Sequence, residues 1–226
     1  MSKKKARWRK LDNAAKLYSA ASNKKDTRVF RFYCELKEKV DSDVLQEALN
    51  QTIETFPTFL MVLRKGFFWH YLEPCNLRPI VKEEYKEPCS RLYIRDKKTL
   101  LFEVTYYKKR INFEVFHVLT DGTGATEFLK ELVKNYLYFA HKEEGLEQVA
   151  LLPEDMTVQD QEDDSFLKYY SKDQKRPKKR KLNAFQIRRK KKDGNHLHVH
   201  ESVVSVQAVL KRSRELGVSM TIFLTA

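Results

Sequence analysis

The alternation of apolar and polar positions divides the chain into short strands and amphipathic helices separated by charged turns. Residues 27–36 alternate and then pair aromatics, as a strand does. Asp41-Ser42-Asp43 is an N-cap cluster. Behind it Val44, Leu45, Ala48, Leu49, Thr52, Ile53 and Phe56 mark one face of a helix that Pro57 ends. Residues 59–63 and 67–72 flank Arg64-Lys65-Gly66, a three-residue link that predicts a hairpin. A second hairpin joins 99–106 to 111–118 across Tyr107 and the basic turn Lys108-Lys109-Arg110. Residues 123–140 then repeat apolar residues at helical spacing and should bury Phe128, Leu129, Leu132, Val133, Tyr136, Leu137 and Ala140. This order predicts an α+β fold, a two-layer sandwich of a mixed, largely antiparallel sheet with helices on one face.

Residues 11–21 form a short lead-in whose alanines and Tyr18 pack on the domain edge. Between 142 and 195 periodicity fades. An acidic patch (Glu154, Asp155, Asp160, Glu162, Asp163, Asp164) gives way to the basic run Lys175-Arg176-Pro177-Lys178-Lys179-Arg180-Lys181, which reads as a linker with little regular structure. Residues 196–206 alternate like a strand, and 206–216 carry a helical apolar face that Gly217 caps. A further, almost wholly apolar helix follows, and the sequence stops within it. The expected organisation is a basic lead-in (1–26), a lobe (27–145), a charged linker (146–195) and the start of a second lobe (196–226). On that reading the chain is the N-terminal part of a longer protein.

Composition narrows the class. At 226 residues with 42% hydrophobic and 12% aromatic content, the chain can bury a core and is globular. No apolar run approaches the roughly 18 residues of a membrane span. The charged N-terminus has no apolar stretch behind it, which excludes a secretory signal. Cys34, Cys75 and Cys89 are odd in number and lack Cys-x-x-Cys spacing, so reduced thiols in a cytoplasmic protein are expected. The net charge of +13 favours polyanionic partners: nucleic acid, anionic membrane or a phosphorylated cofactor. Much of it lies in the first ten residues and in the tract opening at Lys175 and closing at Lys192.

The candidate chemistry sits at His117-Val118-Leu119-Thr120-Asp121-Gly122, between the second hairpin and the helix after it. A histidine at the end of a strand is presented by a rigid element, and its pKa suits proton transfer near neutrality. A six-residue pattern with three free positions arises by chance, so its placement between a strand and a helix is what gives it weight.

His-x-x-x-Asp-Gly resembles the active-site signature of the chloramphenicol acetyltransferase and condensation-domain superfamily of acyltransferases. Residues 10–18 (KLDNAAKLY) and Asp121-Gly122-Thr123-Gly124 look like the corresponding parts of bacterial alcohol O-acetyltransferase-type proteins. The resemblance implies a CoA-dependent acyltransferase fold and acyl (acetyl) transfer from a coenzyme A thioester to a small alcohol or amine. His117 would be the general base, and Asp121 a structural residue paired with an arginine. Gly122 would permit a positive φ or close approach, and Thr123 would cap the helix or reach the acceptor. Coenzyme A enters as co-substrate with no permanently bound cofactor, and competence belongs to the complete two-lobed protein. Phe116 stands where peptide-synthetase condensation domains carry a second histidine, which disfavours that branch. The Asp-Phe-Gly-Trp-Gly segment of plant acyltransferases is absent, as a missing second lobe would require.

Two other readings compete: a basic nucleic-acid-associated module using residues 175–192, and a catalytically silent acyltransferase-like scaffold. His196, His198 and His200 alternate along one stretch but are not completed by a carboxylate or thiol cluster, so no metal site is expected.

Overall fold

Asp41 caps its helix as expected, its side chain accepting from the N–H groups of Asp43 and Val44. That helix, Ser42–Thr55, is the second of the chain. The computed structural model describes residues 8–67, 69–95, 97–145 and 199–225. In order the elements are β1 (Arg9–Lys10), α1 (Asn13–Ala21), β2 (Val29–Glu35), α2 (Ser42–Thr55), β3 (Met61–Lys65) and β4 (His70–Pro74). β5 (Lys82–Glu83), β6 (Phe102–Tyr107), β7 (Arg110–Phe116) and α3 (Gly122–Ala140) follow. The described residues 8–145 and 199–225 belong to separate compact units. The second contains α4 (Val206–Glu215) and α5 (Met220–Thr225).

The α+β class and the antiparallel pairing are as expected, but the strands divide between two sheets. One has the order β2-β7-β6-β5, antiparallel except for β5 beside β6. The other, β1-β4-β3, separates the first hairpin from the second. The division follows from Arg9 and Lys10, which pair with Leu72 and Tyr71 and give the first hairpin its own third strand.

In the larger sheet, register sorts the two faces. Phe32 lies opposite Phe113, and Phe113 opposite Val104, so these three share the face toward the helices. There Phe128 of α3 stacks on Phe113 at 4.6 Å and on Phe59 at 4.4 Å between centroids. α2 and α3 pack together, and Asn135 donates to Thr52 Oγ1 at 3.0 Å. The opposite face carries Arg31, Glu114 and Asn112, and the connection to β6 closes over it: Cys89 N donates to Glu114 at 2.6 Å, and Tyr93 stacks on Phe116.

Several local expectations change. The lead-in contains a helix, α1, capped by Asp12 and anchored through buried Leu11 and Ala15. The first hairpin runs two residues later than its pattern suggested, because Gly66 N bonds to Trp69 O and closes the turn there. Leu137 is 39% exposed, since the buried stripe of α3 runs through Ala125, Phe128, Leu132 and Tyr136. Residues 199–205 form no strand and are exposed. His196 and His198, the tract 175–192 and the rest of the expected linker up to residue 195 lie outside the described residues. α4 and the αL cap at Gly217 (φ 64°) are as expected.

Candidate active site

His117 lies one residue beyond the end of β7. Its backbone N–H donates to Arg28 O at 2.9 Å, extending the β2–β7 pairing by one rung. Arg28 holds φ at 55°, a left-handed conformation that costs a non-glycine residue about 1 kcal/mol or more and is kept only where its surroundings fix it. The loop 22–28 does so: Ser22 Oγ donates to Thr27 O, the N–H groups of Lys25 and Asp26 bond to Asn23 Oδ1, and Thr27 Oγ1 reaches Cys89 O at 2.7 Å.

The same loop delivers α1 to the histidine. Tyr18 lies flat on the His117 imidazole, centroids 4.0 Å apart and planes 17° from parallel. Phe30 of β2 closes from another side at 4.8 Å, tilted by 54°. The ring is half-buried. Stacking covers the π-face of an imidazole, whereas its proton-accepting lone pair lies in the ring plane. Among the described residues neither ring nitrogen makes a hydrogen bond, and neither is among the buried unpartnered polar atoms.

After the turn Phe116–Leu119, Asp121 caps α3, its Oδ1 accepting from Gly124 N at 2.9 Å. That bond is its role in the described residues; the expected pairing with an arginine is not made there. Gly122 also departs from expectation. It opens the helix without a positive φ, and an added methyl would meet only Phe32, at 4.0 Å. The demanding glycine is Gly124, where a Cβ would stand 2.2 Å from Thr120 Oγ1. Thr123 is exposed in the first turn and is not the cap, a position Asp121 holds.

Tyr18 and Arg28 were not singled out in the sequence as parts of the site, and Gly124 entered only within the resemblance carried by Asp121-Gly122-Thr123-Gly124. Tyr18 falls within residues 10–18, which carried part of the resemblance, but nothing local tells which ring a helix near the N-terminus will cover. Among the described residues no three histidine, cysteine or carboxylate side chains gather to hold a metal. All three cysteines are free, and burial pushes each thiol's pKa up. An open groove in the second unit is lined by Gln207, Leu210, Lys211, Arg214 and Glu215, one flank of α4 with no histidine, thiol or hydroxyl.

No protein-family model and no curated protein sequence matches the chain. Solved structures do. The starter condensation domain of the rhizomide synthetase superposes with a TM-score of 0.51 at 12% identity, over 64% of this chain and 40% of that one. A mutant of that domain in complex with C8-CoA gives 0.51 at 13%, over 63% and 38%. The first condensation domain of the calcium-dependent antibiotic synthetase, in complex with a substrate analogue, gives 0.50 at 14%, over 65% and 40%. Over the part matched, the chain thus has the fold of these condensation domains. It spans about 40% of the length of these structures.

Proposed function

We propose that this chain supplies the histidine-bearing lobe of an acyltransferase that moves an acyl group, acetyl in the first instance, from a coenzyme A thioester to an alcohol or amine. The in-plane lone pair of His117 takes the proton from the acceptor as its oxygen or nitrogen attacks the thioester carbonyl. The tetrahedral intermediate collapses, the C–S bond breaks, and the imidazolium returns the proton to the departing thiolate. Asp121 acts on this reaction only through structure, by capping α3 and fixing the turn that follows His117. Thr123, exposed in the first turn of α3, offers its hydroxyl to the acceptor.

The observation that carries this reading is the imidazole itself: stacked on by Tyr18, met from another side by Phe30, unbonded at its edge among the described residues, and set on a condensation-domain fold. The complex of one structural neighbour with C8-CoA is in keeping with a thioester donor. Competence is assigned to the complete two-lobed protein, since this chain matches only part of each neighbour.

The test is coenzyme A release by the complete protein from acetyl-CoA and longer acyl-CoAs, with a panel of small alcohols and amines. Release that depends on an added acceptor and yields the matching ester or amide supports the reading. A protein that binds acyl-CoA but releases no thiol with any acceptor would instead be a silent scaffold.

A further inference from the structure

Three non-glycine residues among those described hold a positive φ: Arg28 at 55°, Cys89 at 58° and Lys108 at 53°. Lys108 stands in the tight turn between β6 and β7, where a left-handed residue is ordinary. Arg28 lies just before β2 and Cys89 in the long connection from β5 to β6, so neither closes a hairpin. Far apart in sequence, the two are joined by one bond: the hydroxyl of Thr27, which precedes Arg28, donates to Cys89 O at 2.7 Å.

Every main-chain polar group of the pair is engaged. Arg28 N–H donates to Asp26 Oδ1 at 3.3 Å, and Arg28 O takes the His117 N–H. Cys89 N–H donates to Glu114 Oε1 at 2.6 Å, and Cys89 O takes the Thr27 hydroxyl. Thr27 is also held from its other side: Oγ1 accepts from Val29 N–H at 3.3 Å, and its carbonyl accepts from Ser22 Oγ at 3.1 Å. The bonds form one line, from Glu114 on the polar face of the larger sheet, through Cys89, Thr27 and Arg28, to the main chain of His117. Glu114 is buried and bonded to Arg31, so the line starts from a fixed point.

Unfavourable backbone conformations persist only where the surroundings over-determine them, and they gather where geometry matters. Here both strained residues lie on the line that ends at the candidate base. We propose that Thr27 is a positioning residue for His117: its hydroxyl locks Arg28 in the left-handed conformation whose carbonyl anchors the histidine's main chain. The Tyr18 stack sets the plane of the ring, and the Thr27 line sets where the ring is hung. Reacting groups must approach to about 3–3.5 Å, so a small drift of that anchor costs rate. The kinetic consequence rests on His117 being the general base; the geometric one does not.

Thr27→Val keeps the shape of the side chain and removes the hydroxyl. Amide hydrogen exchange reads the geometry, with Phe116 as internal comparison, because its N–H donates to Leu101 O on the other side of β7. The His117 amide should lose protection about tenfold while that of Phe116 is unchanged. Ser22→Ala, a milder change that removes the bond to Thr27 O, should give the same selective loss at about threefold. In the complete protein, Thr27→Val should lower kcat for acyl transfer about tenfold with KM for acyl-CoA within about twofold, and Thr27→Ser should recover most of the rate. Three results would overturn the proposal: unchanged protection of His117 in Thr27→Val; His117 and Phe116 losing protection alike in both variants, which is general loosening; or selective loss at His117 with kcat at the parent value. A parent protein that transfers no acyl group would remove His117 as base and leave the exchange result to decide its placement.

Discussion

Tyr18 and His117, far apart in the chain, stack with their rings 4.0 Å apart and nearly parallel. The contact joins the N-terminal helix to the candidate base. A pair of this kind is worth about 0.5–1.5 kcal/mol beyond the area it buries. Tyr18→Ala should leave the sheet intact, lower stability by about 1–2 kcal/mol, and move the His117 Cε1–H resonance downfield as the ring current is lost. Tyr18→Phe should hold that resonance near its original position. An unmoved resonance in Tyr18→Ala would mean that the stack is not populated in solution.

The polar face of the larger sheet sets Glu114 directly opposite Glu103, a like-charge pairing that destabilises unless each carboxylate is neutralised. Glu114 is 2% exposed and takes Arg31 Nε at 2.8 Å together with Cys89 N; Arg31 also meets Glu84, which holds Arg110. Glu103 is met by Lys86 and by the Tyr85 hydroxyl. Removing one partner of a buried pair strands the other, so Glu114→Ala is expected to cost about 3–5 kcal/mol in urea unfolding. A loss below about 1 kcal/mol would show that Arg31 and Cys89 N find other partners.

The two glycines after Asp121 should respond in opposite ways. Gly122→Ala meets only Phe32 at ordinary contact distance and gains helix propensity, so its stability should be unchanged or slightly raised. Gly124→Ala forces Thr120 aside and should cost about 1–3 kcal/mol. Thr120→Ala in the same chain should recover most of that loss, which thermal unfolding of the single and double variants can show.

His70 gives the fold a pH dependence. Burial, then Lys65 and Arg95, depress its folded-state pKa, so below about pH 6.5 the unfolded chain takes up a proton that the folded one resists. The stability supplied by neutral His70 is present above that pH and is lost as pH falls through the folded value. Urea midpoints compared at pH 7.5 and 5.5 should decrease, and His70→Gln should flatten the decline; an unchanged slope in that variant would assign it to other groups.

Much of the fold was legible because its signals are local. Asp41 announces its helix, and the stripe Leu45, Ala48, Leu49, Thr52 and Ile53 is buried as the pattern implies. The split into two sheets was hidden because it depends on Arg9 and Lys10, two polar residues whose only strand character is the partner they find. The position of His117 at a strand's end could be read to within one residue. Its neighbours could not: the stack with Tyr18 needs the path of the loop 22–28, and the need for glycine at 124 comes from a threonine rotamer. Gly122 attracted attention by its place in a motif, while the steric demand lies two residues on.

The most direct test of the account is the rate of acyl transfer by a His117→Ala variant of the complete protein. A general base contributes about 10²–10⁴-fold. The account predicts a loss of that size in kcat, with binding of the acyl-CoA retained and Tyr18→Phe close to the parent rate. Full acyl-transfer activity in His117→Ala would contradict it.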